Sequence, residues 1–301
     1  MRRPNFFLIG APKCGTTALA SYLDAHPEVA VVARKEPWFW SHDVVNPGPP
    51  HLAIRSQAEY LALFQDLKPQ ARLLVDASTS YWFSERAIRE ILEFAPDARF
   101  AVILRRPRDL VYSLYWEQRL SLAEACARFS DAWCAARERR PRHPSGRWSY
   151  CDYAWIASHA IHLERLFALV PPARRTVLVF EEFVAEPRRA YRALLELGAT
   201  ADDGRTEFPL ANGAKVSNSR AISWVVHELP RRVPALFATA RRLSARAGLR
   251  NVRGTLMRRF TTELEKPPLE PSLAREIDAF FEPEVRRLEM LLGRNLPAWR
   301  A

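Results

Sequence analysis

Phe7-Leu8-Ile9-Gly10-Ala11-Pro12-Lys13-Cys14-Gly15-Thr16-Thr17-Ala18-Leu19 is the stretch that decides how this chain is read. Residues 5 to 10 form a short continuous apolar run ending in glycine, the pattern of a buried strand. Thr16 to Ala25 reads as a helix, with Leu19 and Leu23 on one face. Between them lies a glycine-bearing turn that exposes backbone N–H groups. The helix N-terminus adds positive partial charge, so the loop can cradle an anion. Thr16 and Thr17 can add hydroxyl donors. Gly10 and Gly15 have the spacing of a Walker A loop, but Thr16 stands where that motif has its lysine. The lysine here, Lys13, sits two positions before Gly15 and can reach a phosphate from within the loop.

Further strands are predicted at Glu28 to Val32, Arg72 to Asp76, Arg99 to Leu104 and Arg175 to Phe180. Helices are predicted at Gln57 to Asp66, Ser84 to Phe94, from Pro107, Leu122 to Arg139, Asp152 to Val170, after Phe180 through Leu197, and Ser272 to Leu292. Continuously apolar strands separated by helices indicate a parallel sheet covered on both faces. The expected fold is α/β: a P-loop-like, doubly wound parallel sheet flanked by helices, in one domain over residues 1–301. Residues 205–265 read as less regular and arginine-rich, and Asn46 to Pro50 as a surface loop. In such sheets ligands bind outside the carboxyl ends of the strands, where the Gly10–Thr17 loop lies.

The chain has 301 residues, 48% hydrophobic and 26% charged, an ordinary globular mix that excludes a disordered tail or a disulfide scaffold. No apolar run approaches the roughly 20 residues needed to span a bilayer. The opening apolar run of about four residues is too short for a secretory h-region. The expectation is a protein that is not exported and resides in the cytoplasm. Four cysteines, Cys14, Cys126, Cys134 and Cys151, form no C-x-x-C pair. No Cys/His spacing matches a zinc site, so no metal is expected. Among seven histidines, His159 and His162 stand at helical spacing and read as partly exposed helix residues. The formal net charge is +11, carried by forty arginines and only five lysines. That surplus suits an anionic partner, though a solvated arginine-rich surface would look the same. Oligomeric state leaves no mark in the sequence.

Arg105 ends a buried strand at the ligand-binding rim, and Ser113 lies about two turns into the next helix. An arginine fork and a hydroxyl suit a terminal phosphate. Two separated anion sites suit a nucleotide phosphorylated at both ends. Arg106 and Arg108 read as solvated. Glu36, before the aromatic run Trp38-Phe39-Trp40, could be partly desolvated by it.

These residues resemble a known family. Phe7 to Leu19 is similar to the 5′-phosphosulfate loop of sulfotransferases, which use 3′-phosphoadenosine 5′-phosphosulfate (PAPS). His26-Pro27 and Lys35-Glu36-Pro37-Trp38-Phe39-Trp40 resemble the branch containing heparan sulfate sulfotransferases and many bacterial enzymes. Arg105-Arg106-Pro107-Arg108-Asp109-Leu110-Val111-Tyr112-Ser113 resembles the 3′-phosphate signature, and Phe280 to Trp299 the branch's ending. The resemblance implies in-line transfer of a sulfuryl group to a hydroxyl or amine of a glycan, lipid or small molecule. It implies donor binding by Lys13, Cys14, Gly15, Thr16, Thr17, Arg105 and Ser113. It implies Lys13 as the cation at the leaving oxygen and Glu36 as the base, Lys35 assisting, with adenosine 3′,5′-bisphosphate released. Two departures stand out. Ala77 occupies a position where the heparan-type branch often has lysine. Thr261 to Pro267 lacks the branch's Lys-Gly-Arg loop, so donor contacts are expected elsewhere, from Arg220 or arginines among 246–259.

The alternatives are a P-loop nucleoside kinase or NTPase, with Leu73-Leu74-Val75-Asp76 as a Walker B strand holding magnesium, and a non-catalytic basic protein. The latter would use arginines 231–259 on nucleic acid or a membrane surface. No nucleic-acid-reading motif interleaves aromatics with the basic residues, so no nucleic-acid partner is expected. Trp38, Trp40, Tyr81, Trp82, Tyr115 and Trp116 are candidates for lining an acceptor pocket, or ordinary core residues. The acceptor is not identified by the sequence.

Overall fold

A computed structural model describes residues 2–32, 36–44, 54–138, 149–209 and 266–300, and the backbone of 215–217 and 261–263. Five parallel strands form the central sheet in the order β2-β3-β1-β4-β5: β1 Phe6–Gly10, β2 Val29–Val31, β3 Leu73–Asp76, β4 Arg99–Leu104 and β5 Arg175–Val179. Helices α1 Thr16–Asp24, α2 Gln57–Ala62, α3 Glu85–Phe94 and α4 Pro107–Leu120 alternate with the strands. Then come α5 Phe129–Glu138, α6 Tyr153–Ala157, α7 His159–Leu169, α8 Phe180–Ala185, α9 Pro187–Leu197 and α10 Pro271–Leu292. This is the expected parallel α/β architecture. β1 lies at the centre, paired to β3 on one side and β4 on the other. Every residue of β1 is buried, because both faces of the sheet are covered. The chain crosses from β3 over β1 to reach β4, so the carboxyl end of β1 opens at the switch point of the sheet.

Gly10 turns the chain there with φ +137°, and a Cβ would meet the Ile103 carbonyl at 2.6 Å. Only glycine fits so close an approach. Pro107 occupies the first turn of α4 as expected.

Several boundaries differ from the sequence reading. The helix expected from Leu122 begins only at Phe129. Ser121 ends α4, Leu122 turns left-handed at φ +59°, and Ala123 and Glu124 both donate their N–H to the Gln118 carbonyl. The helix expected over 152–170 breaks at Ser158, whose hydroxyl donates to the Ala154 carbonyl. Phe180 starts a helix rather than ending β5. A short antiparallel ladder, β6 Lys215–Ser217 with β7 Thr261–Glu263, has no counterpart in the reading. Three residues are too few for alternation to show. Lys35, Arg220, the 46–50 loop and the arginines of 231–259 lie outside the described residues. No helix among the described residues is long and apolar enough to cross a membrane.

His159 and His162 are fully buried, not partly exposed. His159 Nε2 lies 3.0 Å from the Arg105 carbonyl. Burial pushes its pKa down to about 4, so the neutral ring donates Nε2–H and holds the end of β4. Arg106 and Arg108 are not solvated either. Arg106 pairs with Asp109 at 2.7 Å and Arg108 with Asp278, both guanidiniums less than a fifth exposed. They fasten the start of α4 to itself and to α10.

Candidate functional site

The loop after β1 is built by local backbone demands. Lys13 adopts φ +69° and Gly15, the N-cap of α1, φ +92°. A left-handed non-glycine residue costs about 1–2 kcal/mol, so the surroundings must hold Lys13 in place. Arg105 does so: its Nη1 donates to the Lys13 carbonyl at 2.7 Å. Gly15 packs under Phe180 and Phe183, whose rings a Cβ would meet at 3.1 Å. Cys14 is fully buried, and burial pushes its thiol pKa well up. The thiol therefore fills space and is not a nucleophile. Thr16 is buried and Thr17 partly exposed at the first turn of α1.

Arg105 lies with its guanidinium carbon 4.3 Å from the centre of the Phe180 ring. Its Nε is buried and without a partner. Among the described residues no carboxylate pairs with it; nearby Glu181 accepts instead from the Arg106 N–H and the Trp299 indole. A part-buried guanidinium with a buried, idle Nε–H is a site that an anion would complete.

Ser113 is buried, and its Oγ accepts from Lys266 Nζ at 3.1 Å. Lys266 was not singled out in the sequence, although it sits just before the final helix. No Lys-Gly-Arg triplet surrounds it, and a lone lysine carries no local signal. Tyr112 places it, donating its hydroxyl to the Pro267 carbonyl at 2.6 Å. Burial, then the positive charges of Arg105 and Lys13, push the Lys266 pKa down to about 8. Three cations thus converge on one region, and they disfavour each other until an anion joins them.

Lys13 Nζ also faces Glu117 of α4 at 3.6 Å, with both side chains part-exposed. Burial, then the charges of Glu36 and Glu117, push the Tyr150 pKa up. Glu36 has φ +62° and Trp38 φ +58°. Glu36 Oε2 accepts from Trp38 Nε1 at 2.9 Å and from the Thr79 hydroxyl at 3.1 Å. The site therefore has a cationic floor of Lys13, Arg105 and Lys266, and a rim with Glu36, Tyr150 and Glu117.

Asp76 does not offer a metal site. Its Oδ1 accepts from Ser78 N at 3.0 Å and Ser78 Oγ at 2.7 Å; its Oδ2 accepts from Tyr60 at 2.7 Å and Tyr81 at 3.0 Å. Four donors fill the lone-pair directions of a carboxylate. Burial still pushes its pKa up to about 6. Tyr81, Trp82 and Tyr115 are core residues, at most 1% exposed. Of the aromatic candidates, Trp38 and Trp116 remain part-exposed, and the Trp116 indole N–H is buried without a partner. A surface hollow of about 940 Å³ lies away from this site along α9. Arg188 and Arg192 there already pair with Asp202.

Comparison with known proteins agrees with this geometry. The human bifunctional heparan sulfate N-deacetylase/N-sulfotransferase 3 is 27% identical over 188 residues, covering 62% of this chain and 21% of that protein. The human heparan sulfate glucosamine 3-O-sulfotransferase 6 is 26% identical over 193 residues, covering 62% of this chain and 49% of that protein. The chain thus spans half or less of these relatives' length. The crystal structure of a sulfotransferase from Alicyclobacillus acidocaldarius shares the fold over all of both chains, with a TM-score of 0.72 at 24% identity. A model of the sulfotransferase family matches residues 4–203. With that match spanning most of the sheet and the whole loop that cradles Lys13, the chain belongs to the sulfotransferase family.

Proposed function

We propose that this protein is a PAPS-dependent sulfotransferase, one domain over residues 1–301, acting on a hydroxyl or amine of a glycan, lipid or small molecule. The observation that carries the reading is the convergence of Lys13, Arg105 and Lys266 around Ser113, with the buried Arg105 Nε left idle. That cluster suits a ligand with anionic groups at two places, as an adenosine phosphorylated at both ends has.

The residues that would hold the donor are Lys13, Cys14 through its backbone, Gly15, Thr16 and Thr17 at the loop, and Arg105, Ser113 and Lys266 at the second anion site. Bound there, PAPS supplies an activated sulfuryl group on a phosphate leaving oxygen. Lys13 stabilises negative charge that grows on that oxygen as the ester bond breaks, a contribution larger in the transition state than in the ground state. The loop N–H groups share this task. Glu36 accepts the proton that the acceptor hydroxyl gives up. No metal is part of this reading, because the three cations provide the positive charge. A cytoplasmic location belongs to it too: all four cysteines are free thiols, as a reducing compartment keeps them.

The test is a screen of candidate acceptors with labelled PAPS, read by the mass gain of one sulfuryl group. It is run beside calorimetry with adenosine 3′,5′-bisphosphate. Glu36→Gln should lose transfer and keep binding of the bisphosphate. No heat of binding with wild-type protein would end the donor reading.

A further inference from the structure

Glu36 belongs to a segment that its own backbone does not favour. Glu36 and Trp38 both take left-handed dihedrals, so side-chain contacts must hold them. The contacts come from the turn after β3. Ser78 Oγ accepts from the Trp38 backbone N–H at 3.4 Å, and Ser78 is itself fastened twice to buried Asp76. The next residue, Thr79, is 2% exposed and reaches Glu36 Oε2 at 3.1 Å. The Trp38 indole reaches the same oxygen at 2.9 Å.

The direction of the Thr79 bond follows from donor counting. A threonine hydroxyl has one hydrogen, and an ionised carboxylate can only accept. With Glu36 ionised, the Thr79 hydrogen goes to Glu36 Oε2, and the Trp38 indole supplies a second donor to that oxygen.

We propose that Thr79 is a positioning residue for Glu36: its hydroxyl, with the Trp38 indole, pins Oε2 and fixes the rotation of the carboxylate. This rests on the reading of Glu36 as the base. A base must lie within hydrogen-bond reach of the proton it takes, and a carboxylate on a strained loop would otherwise sample several rotations.

Trp38 provides a readout that needs no acceptor. In full-length protein labelled with ¹⁵N-tryptophan, the Trp38 indole N–H resonance, assigned through Trp38→Phe, reports its bond to Glu36. Thr79→Val should move that resonance and speed its exchange with solvent. Thr79→Ser should restore the wild-type position. The indoles away from this corner, such as Trp133 and Trp299, should stay in place, which separates repositioning from unfolding. A Trp38 resonance indifferent to Thr79→Val, or one that Thr79→Ser shifts as far as Thr79→Val does, would overturn the proposal. Retained transfer by Glu36→Gln would instead defeat the base reading and leave these hydrogen bonds standing.

Discussion

The floor and the rim of the candidate site are built on different principles. Most of the floor rests on strand ends. Lys13 follows β1, Arg105 follows β4, and Ser113 stands on the helix that β4 feeds; Lys266 joins them from the segment before α10. The geometry of Lys13 and Arg105 is set by the parallel register, in which Gly10 lies opposite Ile103. The carboxylate of Glu36 on the rim rests on a loop. Glu36 and Trp38 sit in left-handed conformations and are held by hydrogen bonds from Ser78 and Thr79. The floor can therefore be the same in many relatives while the rim varies, which is how one donor site can serve many acceptors.

The sharpest way to break this contrast is Lys13→Ala. Removing a cation aimed at a developing charge should lower turnover about 10²–10³-fold, while calorimetric affinity for adenosine 3′,5′-bisphosphate changes far less. An equal loss in both would make Lys13 a ground-state grip and not a transition-state one. Arg105→Ala should act the other way round. Losing charge-assisted bonds of about 1.5–3 kcal/mol weakens bisphosphate binding about 10–100-fold, with Glu36 and its partners undisturbed.

Gly10→Ala tests the strand-end foundation. A Cβ 2.6 Å from the Ile103 carbonyl should cost about 1–3 kcal/mol and lower the thermal midpoint by a few degrees. A matching midpoint would mean the turn tolerates a side chain.

The smallest effect concerns pH. The Lys266 pKa lies near 8, below its ordinary 10.5. A bound anion favours the charged lysine, so bisphosphate affinity should fall as pH rises above about 8, and Lys266→Met should flatten that slope. The stability of the ligand-free protein should move oppositely. Between about 8 and 10.5 the unfolded chain holds the extra proton, so this group's contribution to stability rises with pH. Denaturant titrations at pH 8 and pH 10 on wild type and Lys266→Met isolate that contribution.

Much of the floor was legible because its signals are local. A four-residue apolar run, a glycine turn and a helix with Leu19 and Leu23 on one face all lie within twenty residues. Arg105 and Ser113 lie close in sequence, one just after β4 and the other within the first turns of α4. Lys266 was missed because it meets Ser113 across 153 residues, and nothing in its neighbours announces that contact. The histidines failed for a related reason. Helical spacing placed His159 and His162 on one face of α7, but only the packing of α7 against α10 and α3 decides that this face is inside. Arg106 and Arg108 gained carboxylate partners from Asp109 and Asp278, the second 170 residues away.

By itself the amino-acid order determined a parallel α/β sheet, an anion-cradling loop at the end of its first strand, and a carboxylate before an aromatic run. Those features depend on dihedral preferences and on periodicities of two and 3.6 residues, which a short window contains. Tertiary structure alone decided that Lys266 completes the cationic cluster, that Asp76 is enclosed by two tyrosines, and that Thr79 reaches Glu36 across 43 residues. Such pairings form only when distant segments are brought together, and their strength comes from burial, which no local pattern records.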